Sequence, residues 1–290
     1  MAGPSRVAVG FFDGVHLGHR MILRSAEVAL TFRNHPLALL RPELAPRLIM
    51  SLDERLAAIR ACGVREVTAL DFTPELAALA PEEFAARFFG TPPCTVFCGA
   101  NWRFGQGGRG DAALLRTLGY EVSVAPYAIH KGAPISSTRV RAALEAGEIE
   151  DANAMLGRPY RVSGEVFSGK GKGREIGYPT INFRSSADGE RGAASVRLPH
   201  GVYAVELDGR PAIANYGFAP TFAEASWKAP VWEIHCLSPD ASLLSRDISA
   251  GATRSFSLLR FVRPERKFAT QNELQAQIAR DCAEVRCFFV

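Results

Sequence analysis

Arg6-Val7-Ala8-Val9-Gly10-Phe11-Phe12-Asp13-Gly14-Val15-His16-Leu17-Gly18-His19 decides the fold of the front half. It reads as an apolar strand, a glycine-flanked turn and the first turn of a helix, the opening of a parallel sheet wrapped by helices. The same order sets two imidazoles, His16 and His19, beside the free backbone amides of a helix N-terminus, where phosphate binds. Nucleotidyl transfer builds negative charge on an α-phosphate, and its catalyst need only align the reactants and donate hydrogen bonds to those oxygens. Phe12, Asp13 and Gly14 form the turn of this candidate nucleotide site, and Gly18 lets a nucleotide come close. Against two histidines capping a helix by chance, the flanking strand and helix favour the functional reading.

Working outward, apolar runs at 28–32, 64–70, 94–98 and 120–125 read as further strands. Helical spacing at 53–62 and 81–89 separates them, and a helix over 111–118 has Asp111 as its N-cap and Gly119 as its stop. The segment Gly99-Ala100-Asn101-Trp102-Arg103-Phe104-Gly105 follows the fourth strand, where open sheets keep their ligand crevice. Asn101 and Arg103 are therefore nucleotide-binding candidates. Ser137, Thr138, Arg139 and Arg141 stand at a helix start, where hydroxyls, amides and cations can grip a leaving pyrophosphate. An ordinary Ser/Thr cap with solvated arginines is the competing reading. Gly105-Gln106-Gly107-Gly108-Arg109-Gly110 fits a dinucleotide-binding pattern but lacks the strand before it and the acidic residue after it, so it reads as a flexible loop.

Past Gly157-Arg158-Pro159 the pattern changes to alternating strands at 160–167, 201–207, 211–216, 231–237 and 255–262, which predicts a small antiparallel barrel. An amphipathic helix at 273–285 closes the chain. The expected domains are 1–157, α/β with a parallel sheet, and 158–290, a β-barrel with a terminal helix. In the second, Gly169, Gly171, Lys172, Gly173 and Arg174 lie in a glycine-rich, cationic loop suited to wrapping phosphates. Tyr178-Pro179-Thr180-Ile181-Asn182 puts a hydroxyl and an amide on one face of a strand, donors suited to magnesium. Glu233 shares a face with His235 and not with Trp232 or Ile234. Pointing into the barrel mouth, it would accept the proton of an attacking hydroxyl; a solvent-facing edge-strand Glu is the competing reading.

Composition sets the limits. With 290 residues, 47% of them hydrophobic, the chain can bury two ordinary cores. Its net charge of +4 suits phosphate ligands and argues against nucleic acid as a partner. No apolar run is long enough to span a membrane and no secretory order opens the chain, so a cytoplasmic protein is expected. A monomer or weak homo-oligomer is the expected state, which no feature of the sequence decides. The cysteines lack zinc-ligand spacing and read as reduced thiols.

Phe-Asp-Gly-Val-His-Leu-Gly-His at 12–19, Thr-Phe-x-x-His-Pro at 31–36, Gly-x-Asn-x-x-Phe-Gly at 99–105 and Ile-Ser-Ser-Thr-x-Val-Arg at 135–141 recur in one known family. So do Gly-Tyr-Pro-Thr-x-Asn at 177–182, Asn-x-Gly-x-x-Pro-Thr-Phe at 215–222, Glu-x-His at 233–235 and Arg-Pro-Glu-x-Lys-Phe at 263–268. In these motifs and their order the whole chain resembles the bacterial bifunctional riboflavin kinase/FAD synthetase family. The resemblance implies that the barrel phosphorylates riboflavin with ATP and Mg²⁺ to give FMN, with Glu233 as base and Thr180 and Asn182 on metal and phosphates. It implies that the front domain joins FMN to the AMP part of ATP, giving FAD, with Thr31, Phe32, His35 and Pro36 on the flavin there and Asn215 on the flavin in the barrel. A kinase with a weakened front domain and a non-catalytic flavin binder are the alternatives. The chain departs from the family in the short link between Ser25-Ala26-Glu27 and Val28, in Arg33, and in Ala241 to Ala252, where an Asp-Leu-Tyr-Gly segment is absent.

Overall fold

The structure is a computed structural model, described here for residues 6–169, 172–185, 195–218, 230–237 and 250–289. The chain forms two compact units, Met1–Val140 with Met155–Gly157, and Arg141–Ala154 with Arg158–Val290.

In the first unit the elements run β1 (Arg6–Val9), α1 (Leu17–Leu23), β2 (Val28–Phe32), α2 (Pro36–Leu40), α3 (Leu52–Arg60), β3 (Glu66–Leu70), α4 (Pro74–Ala78), α5 (Pro81–Phe88), β4 (Thr95–Gly99), α6 (Ala112–Thr117) and β5 (Glu121–Ala125), followed by the small hairpin β6 (Ile129–His130) and β7 (Ala133–Pro134). The strands pair in parallel in the order β3-β2-β1-β4-β5. Strand alternation divides the core between two faces. Val7, Val9, Val28, Leu30 and Val96 pack with Phe84, Phe89 and Leu115 on one side. Ala8 and Ala29 pack with Ile22, Leu23, Ile59 and Val64 on the other. Sequence spacing misses α2, α4 and the hairpin, which are too short to show a period.

The short link after Glu27 is resolved by a short first helix. Seven residues of α1 rise about 10 Å, close to the about 13 Å of the four-residue β1, so the crossover returns to the start of the sheet without extra chain. Glu27 N–H then bonds Arg6 O at 3.0 Å. The loop expected to be flexible at 105–110 is instead pinned: Phe104 and Gly110 bridge, and Gln106 N–H bonds Leu79 O at 2.7 Å. Its glycines serve packing, since a Cβ at Gly105 would lie 2.7 Å from Pro81 Cα and one at Gly110 would lie 2.6 Å from the Phe104 ring.

Helices α7 (Ser137–Ala146) and α8 (Ile149–Leu156) lead to the second unit, which holds β8 (Tyr160–Phe167), α9 (Lys172–Glu175), β9 (Ile181–Ser185), β10 (Gly201–Leu207), β11 (Arg210–Gly217), β12 (Val231–Cys236), β13 (Thr253–Pro264) and α10 (Gln271–Phe288). The six strands close into an antiparallel barrel in the order β10-β11-β12-β9-β8-β13. Aromatic side chains fill its interior: Trp232, Tyr203, Phe183 and Phe256 are fully buried, and Tyr216 stacks on Trp232 at 4.3 Å. Helix α10 covers the outer face of β10 and β11 through Val202, Ala204, Ile213, Cys282 and Val285. Arg263 grips Asp281 with Nε and Nη2 at 2.7–3.1 Å and fixes the helix there. All six cysteines carry free thiols.

Candidate active sites

The order β3-β2-β1-β4-β5 has its switch point between β1 and β4, and ligands of open α/β sheets bind beyond the strand ends at that point. The first candidate site begins there, as β1 runs into Gly10–His16. This turn is strained. Phe12 (φ 57°) and Val15 (φ 41°) adopt the left-handed region with Gly14 (φ 80°), unusual for a β-branched residue. Surrounding bonds hold it: both Asp13 carboxylate oxygens accept Ile49 N–H at 3.0 and 3.1 Å, and Ser137 Oγ donates to Asp13 O at 2.9 Å.

The turn delivers His16 as the N-cap of α1. Its Nδ1 accepts His19 N–H at 3.3 Å, and the two rings stack at 3.6 Å with 18° between planes. Phe12 meets His19 edge-on at 5.4 Å. A Cβ at Gly18 would lie 3.2 Å from His16 Cε1, so the glycine first of all makes room for that ring. His19 Nδ1 is buried without a hydrogen-bond partner. Burial, and then the neighbouring His16, hold the His19 pKa well below the ordinary imidazole value. At neutral pH the ring is uncharged, able to donate a hydrogen bond but not to carry a standing cation.

Other sequence candidates fall into place unevenly. Asn101 and Arg103 are exposed in the loop after β4, and Thr138 is exposed in the first turn of α7. Arg141, partly buried, lies one turn beyond Ser137 on α7 and is counted with the second compact unit. Arg139 is committed elsewhere. Its guanidinium donates to Ala133 O, Pro134 O and His130 O at 2.7–3.1 Å, bracing the β6–β7 hairpin. Thr31 is fully buried and its hydroxyl donates to Phe11 O at 3.1 Å, while Phe32 packs edge-on to Phe72 in the core. Neither side chain is open to a flavin. His35 and Pro36 are partly exposed at the start of α2, which His35 Nδ1 caps by accepting Leu37 N–H. Arg33, one of the departures from the family pattern, pairs with exposed Asp71 at 3.6 Å.

The second candidate site is a row across three barrel strands. Asn215 on β11 is in register with Glu233 on β12, and Glu233 with Asn182 on β9. Side chains opposite one another across strands share a face, so the carboxylate stands between two carboxamides. The neighbouring row, Tyr216, Trp232 and Phe183, points inward. Glu233 therefore faces the outer wall and not the barrel mouth, because aromatic rings fill the interior. The backbone of Gly169 lies directly over this row, where a Cβ would collide with the Asn182 amide. A Cβ at Gly173 would collide with Tyr178 O and lie 3.2 Å from Thr180 Oγ1. Tyr178 N–H bonds Gly173 O at 2.7 Å, and His235 Nδ1 lies 2.9 Å from Pro179 O, fixing the start of the strand segment that carries Thr180. Arg174 is exposed on α9; Gly171 and the Lys172 side chain lie outside the described residues.

Burial, and then the charge of Glu265, raise the Glu233 pKa above the ordinary carboxylate value. Glu265 lies close to the β11 end of this wall, where a Cβ on Gly217 would be 2.8 Å from its Oε1. Nothing in the Arg-Pro-Glu motif alone points to a role for Glu265; two carboxylates in one register neighbourhood are not visible before the barrel closes. Among the described residues no group of three His, Cys, Asp or Glu could hold a metal unaided. Magnesium in phosphoryl transfer needs only one or two protein oxygens, the phosphates completing its shell. Thr180 and the nearly buried Asn182 under Gly169 fit that demand.

Both clusters offer groups of the kind that hold phosphate, and the class of protein such a pairing suits is a two-headed transferase, with a nucleotidyl-transfer sheet followed along the chain by a kinase barrel. Residues 2–139 match the FAD synthetase family and residues 156–289 the riboflavin kinase family. The bifunctional riboflavin kinase/FMN adenylyltransferase of Escherichia coli strain K12 is 33% identical over 304 residues, covering 98% of this chain and 92% of that protein. Its namesake in Bacillus subtilis strain 168 is 29% identical over 307 residues, with the same coverage of 98% and 92%. A solved structure from Streptococcus pneumoniae, called a macrolide-efflux protein, matches with a TM-score of 0.82 at 28% identity, over 98% of this chain and 94% of that one. The chain belongs to the bifunctional riboflavin kinase/FAD synthetase family, and is an enzyme of flavin cofactor biosynthesis with both activities. Among the described residues no helix is long and apolar enough to cross a membrane.

Proposed function

We propose that this chain makes FAD from riboflavin in two ATP-dependent steps, each in its own site, with the division of labour falling at 157/158. The observation that supports the reading is that each compact unit holds its own polar cluster: the stacked His16–His19 pair on the strained turn, and the Asn182–Glu233–Asn215 row beneath Gly169.

In the barrel, Glu233 takes the proton of the ribityl hydroxyl as it attacks the γ-phosphate, a role its raised pKa favours near neutrality. Thr180 and Asn182 hold Mg²⁺, which neutralises phosphate charge when bound. Gly169, Gly173 and Arg174 wrap the phosphates and Asn215 orients the flavin. In the sheet domain, His16, His19 and the α1 amides hold the α-phosphate and donate to its oxygens as FMN attacks and pyrophosphate leaves. Asn101 and Arg103 face the nucleotide, Ser137 and Thr138 the leaving group, and His35 and Pro36 the flavin. The protein works in the cytoplasm as a monomer or weak homo-oligomer, without nucleic acid.

Incubation with riboflavin, ATP and Mg²⁺, followed by chromatography, tests this. FMN and then FAD should appear; His19→Ala should stop at FMN, and Glu233→Ala should convert only supplied FMN. Accumulation of FMN alone by the wild-type chain would leave a kinase with a silent front domain, and no product would leave a flavin binder.

A further inference from the structure

Arg55 on α3 is 1% exposed, although a guanidinium is among the costliest groups to take out of water. Its terminal nitrogens are committed to backbone. Nη1 donates to Phe11 O at 3.0 Å, and Nη2 to Phe32 O at 2.7 Å and Arg33 O at 3.2 Å. One cation thus ties together the ends of β1 and β2. The guanidinium also lies over the Phe11 ring, 3.8 Å from its centroid, and Phe11 in turn meets His35 edge-on at 4.6 Å. Thr31 Oγ1 supplies a second donor to Phe11 O at 3.1 Å. Phe11 is the last residue before the left-handed turn from Phe12 to Val15 that carries the chain to His16.

An apolar side chain of similar volume would fill the same space without the desolvation cost. What it would lack is the fork that bonds two strand ends and stacks on a ring at once. Burial lowers the Arg55 pKa to about 10, with the nearby Asp13 charge opposing the drop, so the group stays cationic at neutral pH beside an anion-receiving turn.

We propose that Arg55 is a positioning residue for adenylyl transfer: by fixing Phe11 it holds the turn that presents His16 and His19 to the α-phosphate. This rests on the reading that those histidines serve FMN adenylylation. Arg55 touches no reacting atom; it acts through Phe11, at the chain position where a small displacement is carried directly into the catalytic rings.

The test uses the whole chain with two substitutions, Arg55→Met, which keeps the stem and removes fork and charge, and Arg55→Lys, which keeps the charge but cannot bridge or stack. kcat and KM are measured for FMN adenylylation, with riboflavin phosphorylation in the same preparation as the control for folding. Arg55→Met should lower adenylylation kcat about a hundredfold, the scale of an ångström-level misplacement, with KM for ATP within about threefold and the kinase rate within about twofold. Arg55→Lys should recover part of the loss, to about tenfold below wild type. An unchanged adenylylation kcat in Arg55→Met, a loss confined to KM, or a parallel fall of both activities would overturn the role. Should Arg55→Met not fold, Arg55→Lys decides: selective loss of adenylylation supports the role, and joint loss of both activities overturns it. His19→Ala runs alongside, and undiminished FAD formation there would sink the site assignment and this proposal with it, independently of the Arg55 result.

Discussion

Replacing Glu233 by Gln separates the charge of that side chain from its shape. Gln has the same length and can stand in the same row between Asn182 and Asn215, but it cannot take a proton. A positioned general base contributes about 10²–10⁴ in rate, or about 2.7–5.5 kcal/mol of barrier at about 1.36 kcal/mol per tenfold. Riboflavin phosphorylation should lose that factor in kcat with KM values within about threefold, while FMN adenylylation stays at the wild-type rate. Stability should move the other way. Burial, and then Glu265, raise the folded-state pKa of Glu233, so the folded protein holds that proton more tightly than the unfolded chain does. Stability is therefore lost as pH rises from the ordinary carboxylate pKa through the raised one, and the whole cost is present above it. Glu233→Gln removes the cost, and its urea midpoint at about pH 7.5 should be no lower than wild type. Initial rates of FMN formation from about pH 5 to about pH 9 complete the assay. The wild-type kcat/KM should fall on the acid side at a pH above the ordinary carboxylate value, and Glu265→Gln should move that limb down. A Glu233→Gln enzyme that phosphorylates riboflavin within about threefold of wild type would refute proton abstraction by this carboxylate.

Gly169→Ala puts a methyl group into the Asn182 amide; the kinase rate should fall at least about tenfold with adenylylation unaffected, read by the same product chromatography. Asp281→Ala strips the counter-charge from Arg263 and frees α10 from the barrel wall. Breaking such a pair costs about 3–5 kcal/mol, and the partial exposure of Arg263 places the expected loss near the lower figure, measured as a shift in urea midpoint at constant m-value. His19 has a depressed folded-state pKa, so it stays neutral as pH drops below the ordinary imidazole value, and the acid limb of adenylylation should lie below about pH 6.5. The linked stability is fully present above that ordinary value and is lost as pH falls from it towards the folded-state pKa. An adenylylation limb at or above that pH would contradict a buried, neutral ring.

The strand-turn-helix at 6–19 was legible because everything that defines it is local: an apolar run, a glycine turn and a helical start. The same holds for β2 to β5 and for most barrel strands, whose alternation is set by neighbours two positions apart. Short link and all, the first crossover obeys simple length matching. Arg55 was not legible. On a helix among Asp53, Glu54 and Arg60 it has the surface look of any charged residue, and only the pairing of β1 with β2 brings Phe11 O and Phe32 O to one point within its reach. Thr31 misled for a related reason. Its motif resembled a ligand-binding one, but a fully buried residue near the end of β2 spends its hydroxyl on the carbonyl of Phe11 on the neighbouring chain segment. Arg139 likewise had carbonyls of a hairpin within reach that was too short to be seen in the sequence.

The placement of Glu233 shows where periodicity stops. Alternation puts Glu233 and Trp232 on opposite faces of β12, but it does not say which face is inside. Closure decides. A six-stranded barrel has an interior only wide enough for side chains, and Trp232, Tyr203, Phe183 and Phe256 occupy it. The polar row of Asn182, Glu233 and Asn215 therefore lies on the outer wall, and the loop at Gly169 covers it. Gly169 and Gly173 allow that roof, letting the backbone approach the Asn182 amide and the Thr180 hydroxyl more closely than any side chain permits. The sheet domain differs. There the end of β1 runs into a buried turn that is bent sharply, at a cost of about 1–3 kcal/mol for each left-handed non-glycine residue. Asp13, Ser137, Thr31 and Arg55 hold that bend in place. Strain concentrated at Phe12 and Val15 and over-determined by four polar side chains is unnecessary for a stable sheet; it sets His16 and His19 stacked at the switch point, the arrangement on which the proposed phosphate site rests.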